Sequence, residues 1–347
     1  AFSPRDLFAH QTIRSLARVA QLSTQTTLDQ GLASGAVVLA PVQQWFFEQP
    51  MVARHHWNQS LLLHPRQALQ APELEQALRQ LLNQHDALRL RFEQRDGMWQ
   101  QAYAELSADS LLWHQQVASS VELGALCEQA QRSLDLHNGP LLRALLVELP
   151  DHSQRLLLVV HHLAVDGVSW RVLLEDLQQF YTAPAQTTLV KTSAYQAWTA
   201  RLHDEAQSRV DELALWQAQL AGASSELPCD RANAGLTNRH ARTVELKLGA
   251  ELTRQLLQVA PAAYRTQVND LLLTALARVI CRWSGHASTL IELEGHGREE
   301  LFTNIDLTRT VGWFTSMFPV KLTPAADLAD SIKSIKQGLR AIPDKGV

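Results

Sequence analysis

A chain of 347 residues that is 46% hydrophobic and 19% charged, with a formal net charge of −4, has an ordinary globular composition, long enough for one large domain or two lobes of roughly 150 residues each. The mild acidity and the lack of a basic stripe argue against nucleic acid as a partner, no apolar run approaches the ~20 residues of a membrane helix, and the N-terminus has no signal-peptide pattern. Three widely spaced cysteines, Cys127, Cys229 and Cys281, form no CxxC pair; they suit packed thiols in a reducing cytoplasm, not disulfides or a metal site.

In chain order, residues 1–21 read as a short helical piece with Leu7, Phe8, Ile13, Leu16 and Val19 as its apolar side, too small to fold alone. A polar link over 22–36 follows, and "VVLAPVQQWFFEQ" opens the main body. Leu74, Leu78, Leu81 and Leu82 give helical spacing over 73–85, starting at Pro72-Glu73. "ALRLRFEQRDGMWQQAY" alternates around an Asp96-Gly97 hairpin turn. Residues 122–135 read as a helix, and "PLLRALLVEL" and "RLLLVVHHL" as neighbouring strands. Trp170, Leu173, Leu174, Leu177 and Tyr181 then line one face of a helix, and a polar helical region spans 192–220. The Pro-, Gly- and Asn-rich stretch over 222–236 reads as a linker between an N-terminal lobe (37–221) and a C-terminal lobe (237–347). The second lobe reads as strand 242–248, helices 250–260 and 267–283, strand 287–294, a Gly-rich turn, strand 311–322 and helix 327–340. The mixture of strands and helices predicts an α/β fold.

Two histidines, His161 and His162, end the apolar strand. Neighbours on a strand point to opposite faces, so the two cannot serve one site: one packs and the other faces a different environment. Asp166-Gly167 forms a tight turn at the strand's C-terminal edge, where α/β folds commonly place chemistry, and Asp166 can cap the helix that follows. In "TLIELEGHGREELF", Glu292 and Glu294 share one face until Gly295 and Gly297 break the strand, leaving Glu294 as a carboxylate at a strand end, followed by His296 and Arg298. In "LTRTVGWFTSMFPVKL", Gly312 stands beside Trp313 and Phe314, aromatics that suit core packing.

"HHLAVDG", "APVQQWFFEQ", "EGHGREEL" and "RTVGWFTSMFP" together resemble the motifs of the condensation-domain superfamily of nonribosomal peptide synthetases and, within it, of the epimerization domains. The resemblance covers roughly residues 37–347. "SPRDLFAHQTIRSLARVA" is similar to the last helix of a peptidyl carrier domain. The family continues through GxGYG-like and FNYLG-like segments that are absent here, so the chain is expected to be a C-terminally truncated fragment of a longer polypeptide.

The resemblance implies two chloramphenicol-acetyltransferase-like lobes in a V with a central tunnel. A phosphopantetheine arm would bring an aminoacyl or peptidyl thioester into it from an upstream carrier domain in cis, among neighbouring synthetase modules in the cytoplasm. The implied reaction inverts the α-carbon (L to D) on the way to an antibiotic or siderophore. It needs a base, stabilisation of an enolate-like intermediate and an acid on the other face. His162 and Glu294 are the candidates, Glu294 if burial raises its pKa. No metal or organic cofactor is implied, because the thioester already acidifies the α-proton. Asp166 and Arg298 are expected as a structural ion pair, with His161 and Gly167 in supporting roles. Ser169, Trp170, His296, Trp313, Phe314 and Thr315 are expected to line the tunnel. The rival readings are a condensation domain using the same His162, a catalytically silent recruitment platform, and an acyl-CoA-dependent acyltransferase.

Overall fold

The computed structural model of the chain describes residues 12–19, 28–184, 188–231 and 240–347. Of the N-terminal piece, α1 (Ile13–Val19) is described, with Ile13 exposed. Residues 1–11 and 20–21 of that piece, residues 22–27 of the following link and residues 232–236 of the second linker lie outside the described residues.

After β1 (Gly35–Val37), α2 (Pro41–Glu48) and β2 (Asn58–Leu63) comes α3 (Ala71–Gln84), which buries Leu74, Ala77, Leu78 and Leu81 on the face the spacing defines. β3 (Leu90–Arg95) and β4 (Met98–Tyr103) close the expected hairpin. Its turn residues Asp96 and Gly97 both sit at positive φ, 50° and 79°, the conformation a two-residue hairpin turn needs. β5 (Leu112–Gln116) leads into α4 (Ser120–Arg132), where Ser119 caps the helix by accepting from the Glu122 N–H. β6 (Leu142–Glu148) and β7 (Gln154–His161) are the expected antiparallel neighbours, and α5 (Gly167–Thr182) follows. The polar helical region divides into α6 (Tyr195–Ser208) and α7 (Glu212–Leu220).

Beyond the linker, residues 242–248 form no strand. Val244 and Leu246 are almost fully exposed, and among the described residues no strand pairs with the segment; alternation alone cannot supply the ladder partners a strand requires. α8 (Ala250–Arg254) runs through a π-helical turn (Gln255–Val259) into α9 (Ala260–Tyr264), followed by α10 (Val268–Ser284), β8 (Thr289–Gly295), β9 (Ser316–Leu322) and α11 (Leu328–Arg340). The strand expected over 311–322 starts only at Ser316, because 311–314 is buried through other partners, described below.

The chain forms two compact units that interleave in sequence, unlike the contiguous lobes drawn at 37–221 and 237–347. One gathers the described residues of 1–38 with 51–200 and 300–313; the other gathers 39–50, 201–299 and 314–347. In the first, one sheet has the order β1-β4-β3 and the other β2-β7-β6-β5, with β5 parallel to β6 and the remaining pairs antiparallel. Val117, Ala130, Leu134, Leu145, Val147, Leu157 and Val159 form a core between α4 and one face of the second sheet. In the second unit β8 and β9 pair antiparallel, and Leu273 and Ala277 of α10 pack with Phe318, Val320, Leu322, Ile335 and Ile342. Of the cysteines, Cys281 is buried and Cys127 half-buried, but Cys229 is exposed in the linker rather than packed. No helix among the described residues is long and apolar enough to cross a membrane.

Candidate active site

Strand alternation separates the two histidines as expected. His161 ends β7 opposite Asn58, fully buried on the same face as Val159 and its core. Its Nδ1 accepts from the Leu163 N–H at 3.2 Å. Nε2 therefore carries the proton and donates to the Arg54 carbonyl at 2.8 Å. Burial pushes the imidazole down to about 4, a shift only partly offset by the Arg54 hydrogen bond. His161 is a neutral packing residue at physiological pH.

His162 begins a short 3₁₀ turn, yet its backbone N–H still reaches the Trp57 carbonyl at 2.8 Å, continuing the β2–β7 ladder by one step. It therefore lies on the other face, with Val160 and the paired Gln59. The Gln59 amide nitrogen is 2.8 Å from His162 Nε2, and the Gln59 oxygen accepts from Trp170 Nε1 on α5 at 2.8 Å. The Trp313 ring lies 4.3 Å from the His162 ring, tilted by 41°. Gln59 of the sheet thus gives His162 a polar neighbour, and Trp313 of the "RTVGWF" motif gives it an aromatic wall.

That wall is tied down from several sides. Asp166 caps α5, its Oδ1 accepting from the Ser169 N–H at 2.7 Å, and Gly167 opens the helix. The Ser169 hydroxyl then clips Gly312, donating to its carbonyl at 3.0 Å and accepting from its N–H at 3.2 Å. Tyr195 Oη donates to the Trp313 carbonyl at 2.8 Å, and Thr310 Oγ1 donates to the Ser193 carbonyl at 2.7 Å. Below these, Arg309 pairs with the buried Asp176, which also meets His85 at 2.9 Å. Ser169, Trp170 and Trp313 are therefore buried within this lattice. Gln59, His85, Asp176, Tyr195 and Arg309 are not singled out by the sequence. For Gln59 a weak signal exists, a polar side chain beginning an apolar strand; the others are joined only by long-range packing.

In the second unit, Glu294 is exposed opposite Met317 rather than buried as its expected role required, because it lies on the polar strand face the alternation gives, while Ile291 and Leu293 turn toward the core. The strand ends because Gly297 is left-handed (φ +63°) and presses its backbone on Phe314: a Cβ there would lie 1.5 Å from the Phe314 oxygen. No L side chain fits. His296 Nδ1 accepts from the Arg298 N–H at 3.0 Å, so Nε2–H faces Glu299 at 3.1 Å; Lys345 reaches the same carboxylate at 3.0 Å. The Arg298 guanidinium stacks on Phe314, 3.9 Å from the ring centroid, and Thr315 is half-buried beside it. Among the described residues, no group of three or more His, Cys, Asp or Glu is arranged to hold a metal ion.

The family described as Condensation domain matches residues 33–347. One of the linear gramicidin synthase subunits of Brevibacillus parabrevis is 44% identical over 361 residues, which is 99% of this chain and 7% of that relative's length. The crystal structure of the epimerization domain from the third module of tyrocidine synthetase B superposes with a TM-score of 0.85 at 36% identity, over 92% of this chain and 76% of that one. The X-domain from teicoplanin biosynthesis gives a TM-score of 0.71 at 26% identity, over 84% and 67%.

Proposed function

This chain belongs to the condensation-domain family, and we propose that within it the chain is an epimerization domain of a nonribosomal peptide synthetase. The observation that carries the reading is the match to the tyrocidine synthetase epimerization domain, at 36% identity and a TM-score of 0.85 over 92% of the chain. On this reading an upstream carrier domain presents an aminoacyl or peptidyl thioester on its phosphopantetheine arm, neighbouring modules supply and consume it, and no cofactor is held by the domain itself.

Inversion at an α-carbon removes a proton from one face of a tetrahedral centre and returns one to the other face of the planar intermediate. Two proton-transferring groups are needed. We assign His162 and Glu294. His162 is a half-buried imidazole held between Gln59 and Trp313, a group whose ordinary pKa lets it give or take a proton near neutrality. Glu294 ends its strand with its carboxylate exposed, beside two glycines that admit a close backbone approach.

The test is uptake of deuterium from D₂O at the α-carbon of a carrier-bound L-aminoacyl thioester, followed by mass spectrometry, with the chain inside the synthetase it is proposed to belong to. His162→Ala should abolish uptake. Glu294→Gln should lower interconversion by about 10²-fold, the scale of losing a positioned acid–base group. Peptide-bond formation requires no acid on a second face, so a condensation catalyst tolerates Glu294→Gln. Unchanged interconversion in that variant, or peptide-bond formation with an acceptor carrier, would overturn the reading.

A further inference from the structure

We infer that Gln59, anchored by Trp170, is a positioning residue that fixes which nitrogen of His162 carries the proton. The inference rests on the assignment of His162 to proton transfer. Its logic starts from a group with no ambiguity: an indole N–H can only donate. Trp170 Nε1 lies 2.8 Å from one end of the Gln59 amide, so that end is the oxygen. The other end is then the NH₂ group, which also can only donate, and it lies 2.8 Å from His162 Nε2. Nε2 must therefore present its lone pair, and neutral His162 carries its hydrogen on Nδ1. Turning the amide over would set two donors against each other at Trp170, so the indole locks the orientation.

The relay is built into rigid elements. Gln59 sits near the start of β2, the end strand of the β2-β7-β6-β5 order, paired opposite Val160 of β7, and Trp170 lies buried in the first turn of α5, directly after the Asp166–Ser169 cap. The same sheet register that puts Gln59 on the His162 face thus delivers a fixed donor to one nitrogen. Its chemical consequence is that the one lone pair of neutral His162 is held at Nε2 by the Gln59 N–H, so His162 can take a proton there only as that hydrogen bond breaks, and the hydrogen it has to give stands on Nδ1.

The experiment is a long-range ¹H–¹⁵N correlation spectrum of the chain labelled at histidine, with His162 identified by comparison with His162→Gln. In the unsubstituted chain Nε2 of His162 should resonate as an unprotonated nitrogen. Gln59→Glu keeps the shape but presents only acceptors, so Nε2 should convert to the protonated type. Trp170→Phe leaves Gln59 and His162 in place and frees the amide to turn, so it should move the Nε2 signal part of the way. A second arm measures deuterium uptake, which should fall about 10- to 100-fold in folded Gln59→Glu, where the His162 hydrogen moves from Nδ1 to Nε2; that is the scale for losing the partner that orients a metal-ligating histidine. A protonated neutral Nε2 in the unsubstituted chain, an unmoved Nε2 signal in both variants, or full uptake in Gln59→Glu would overturn the inference. Absence of uptake in the unsubstituted chain would strike the epimerase reading alone, since the spectra report the relay without any turnover.

Discussion

His161 carries a sharp expectation of its own at the residue scale. Its folded pKa is held at about 4 by burial, whereas an unfolded histidine titrates near 6.5. Between these values the unfolded chain binds a proton that the folded chain refuses, so stability rises with pH through this window. The contribution is complete above about 6.5 and is lost as pH falls toward 4. The span corresponds to roughly 3 kcal/mol. Urea unfolding at pH 7 and pH 4.5 should therefore show the unsubstituted chain losing about 2–3 kcal/mol more than His161→Asn, which has no imidazole to charge. Equal losses would mean that His161 is not buried neutral. Sequence alone already separates His161 from His162, because alternation along a strand needs no tertiary knowledge. It cannot assign Gln59, which lies 103 residues away and meets His162 only through the β2–β7 register.

The element that holds the site together is the N-terminal turn of α5. Its start is legible in the sequence, since Asp166 followed by an apolar 3.6-residue repeat is a helix beginning, and Asp166 does cap it. The role of Ser169 is not, because its partner is the Gly312 backbone, 143 residues away. Ser169→Ala removes a hydroxyl that satisfies both the N–H and the C=O of a buried glycine. Leaving such groups unpaired costs about 1–3 kcal/mol. Thermal unfolding should show a fall of roughly 2–12 °C; an unchanged midpoint would mean that the two Gly312 groups find other partners. The same reasoning explains why the strand expected over 311–322 is shorter in the fold. Val311, Trp313 and Phe314 have a strand-like composition, but Ser169 and Tyr195 take the hydrogen bonds of Gly312 and Trp313 that a ladder would otherwise use. The strand expected over 242–248 is missing for the complementary reason: its alternation is real, and nothing among the described residues pairs with it.

At the scale of the whole molecule, the chain passes repeatedly between its two units, and composition carries no trace of this. A linker-based division places the 300–313 segment with the C-terminal lobe, because sequence proximity is the only guide available before packing is known. In the fold it belongs with 51–200. There Arg309 pairs with Asp176, which is almost fully buried, and Thr310, Gly312 and Trp313 hold Ser193, Ser169 and Tyr195. A fragment spanning 28–221 would keep Asp176 and His85 but lose the guanidinium. Removing one partner from a buried charge costs about 3–5 kcal/mol, and the unmade bonds at Ser169 and Tyr195 add to that. For a fragment of this size the loss corresponds to roughly 10 °C or more. The fragment should melt well below the full chain, and Asp176→Asn should recover part of the deficit in the fragment while destabilising the full chain, where Arg309 is present. A fragment as stable as the intact protein, or Asp176→Asn acting alike in both, would mean that 300–313 is not an integral part of the first unit.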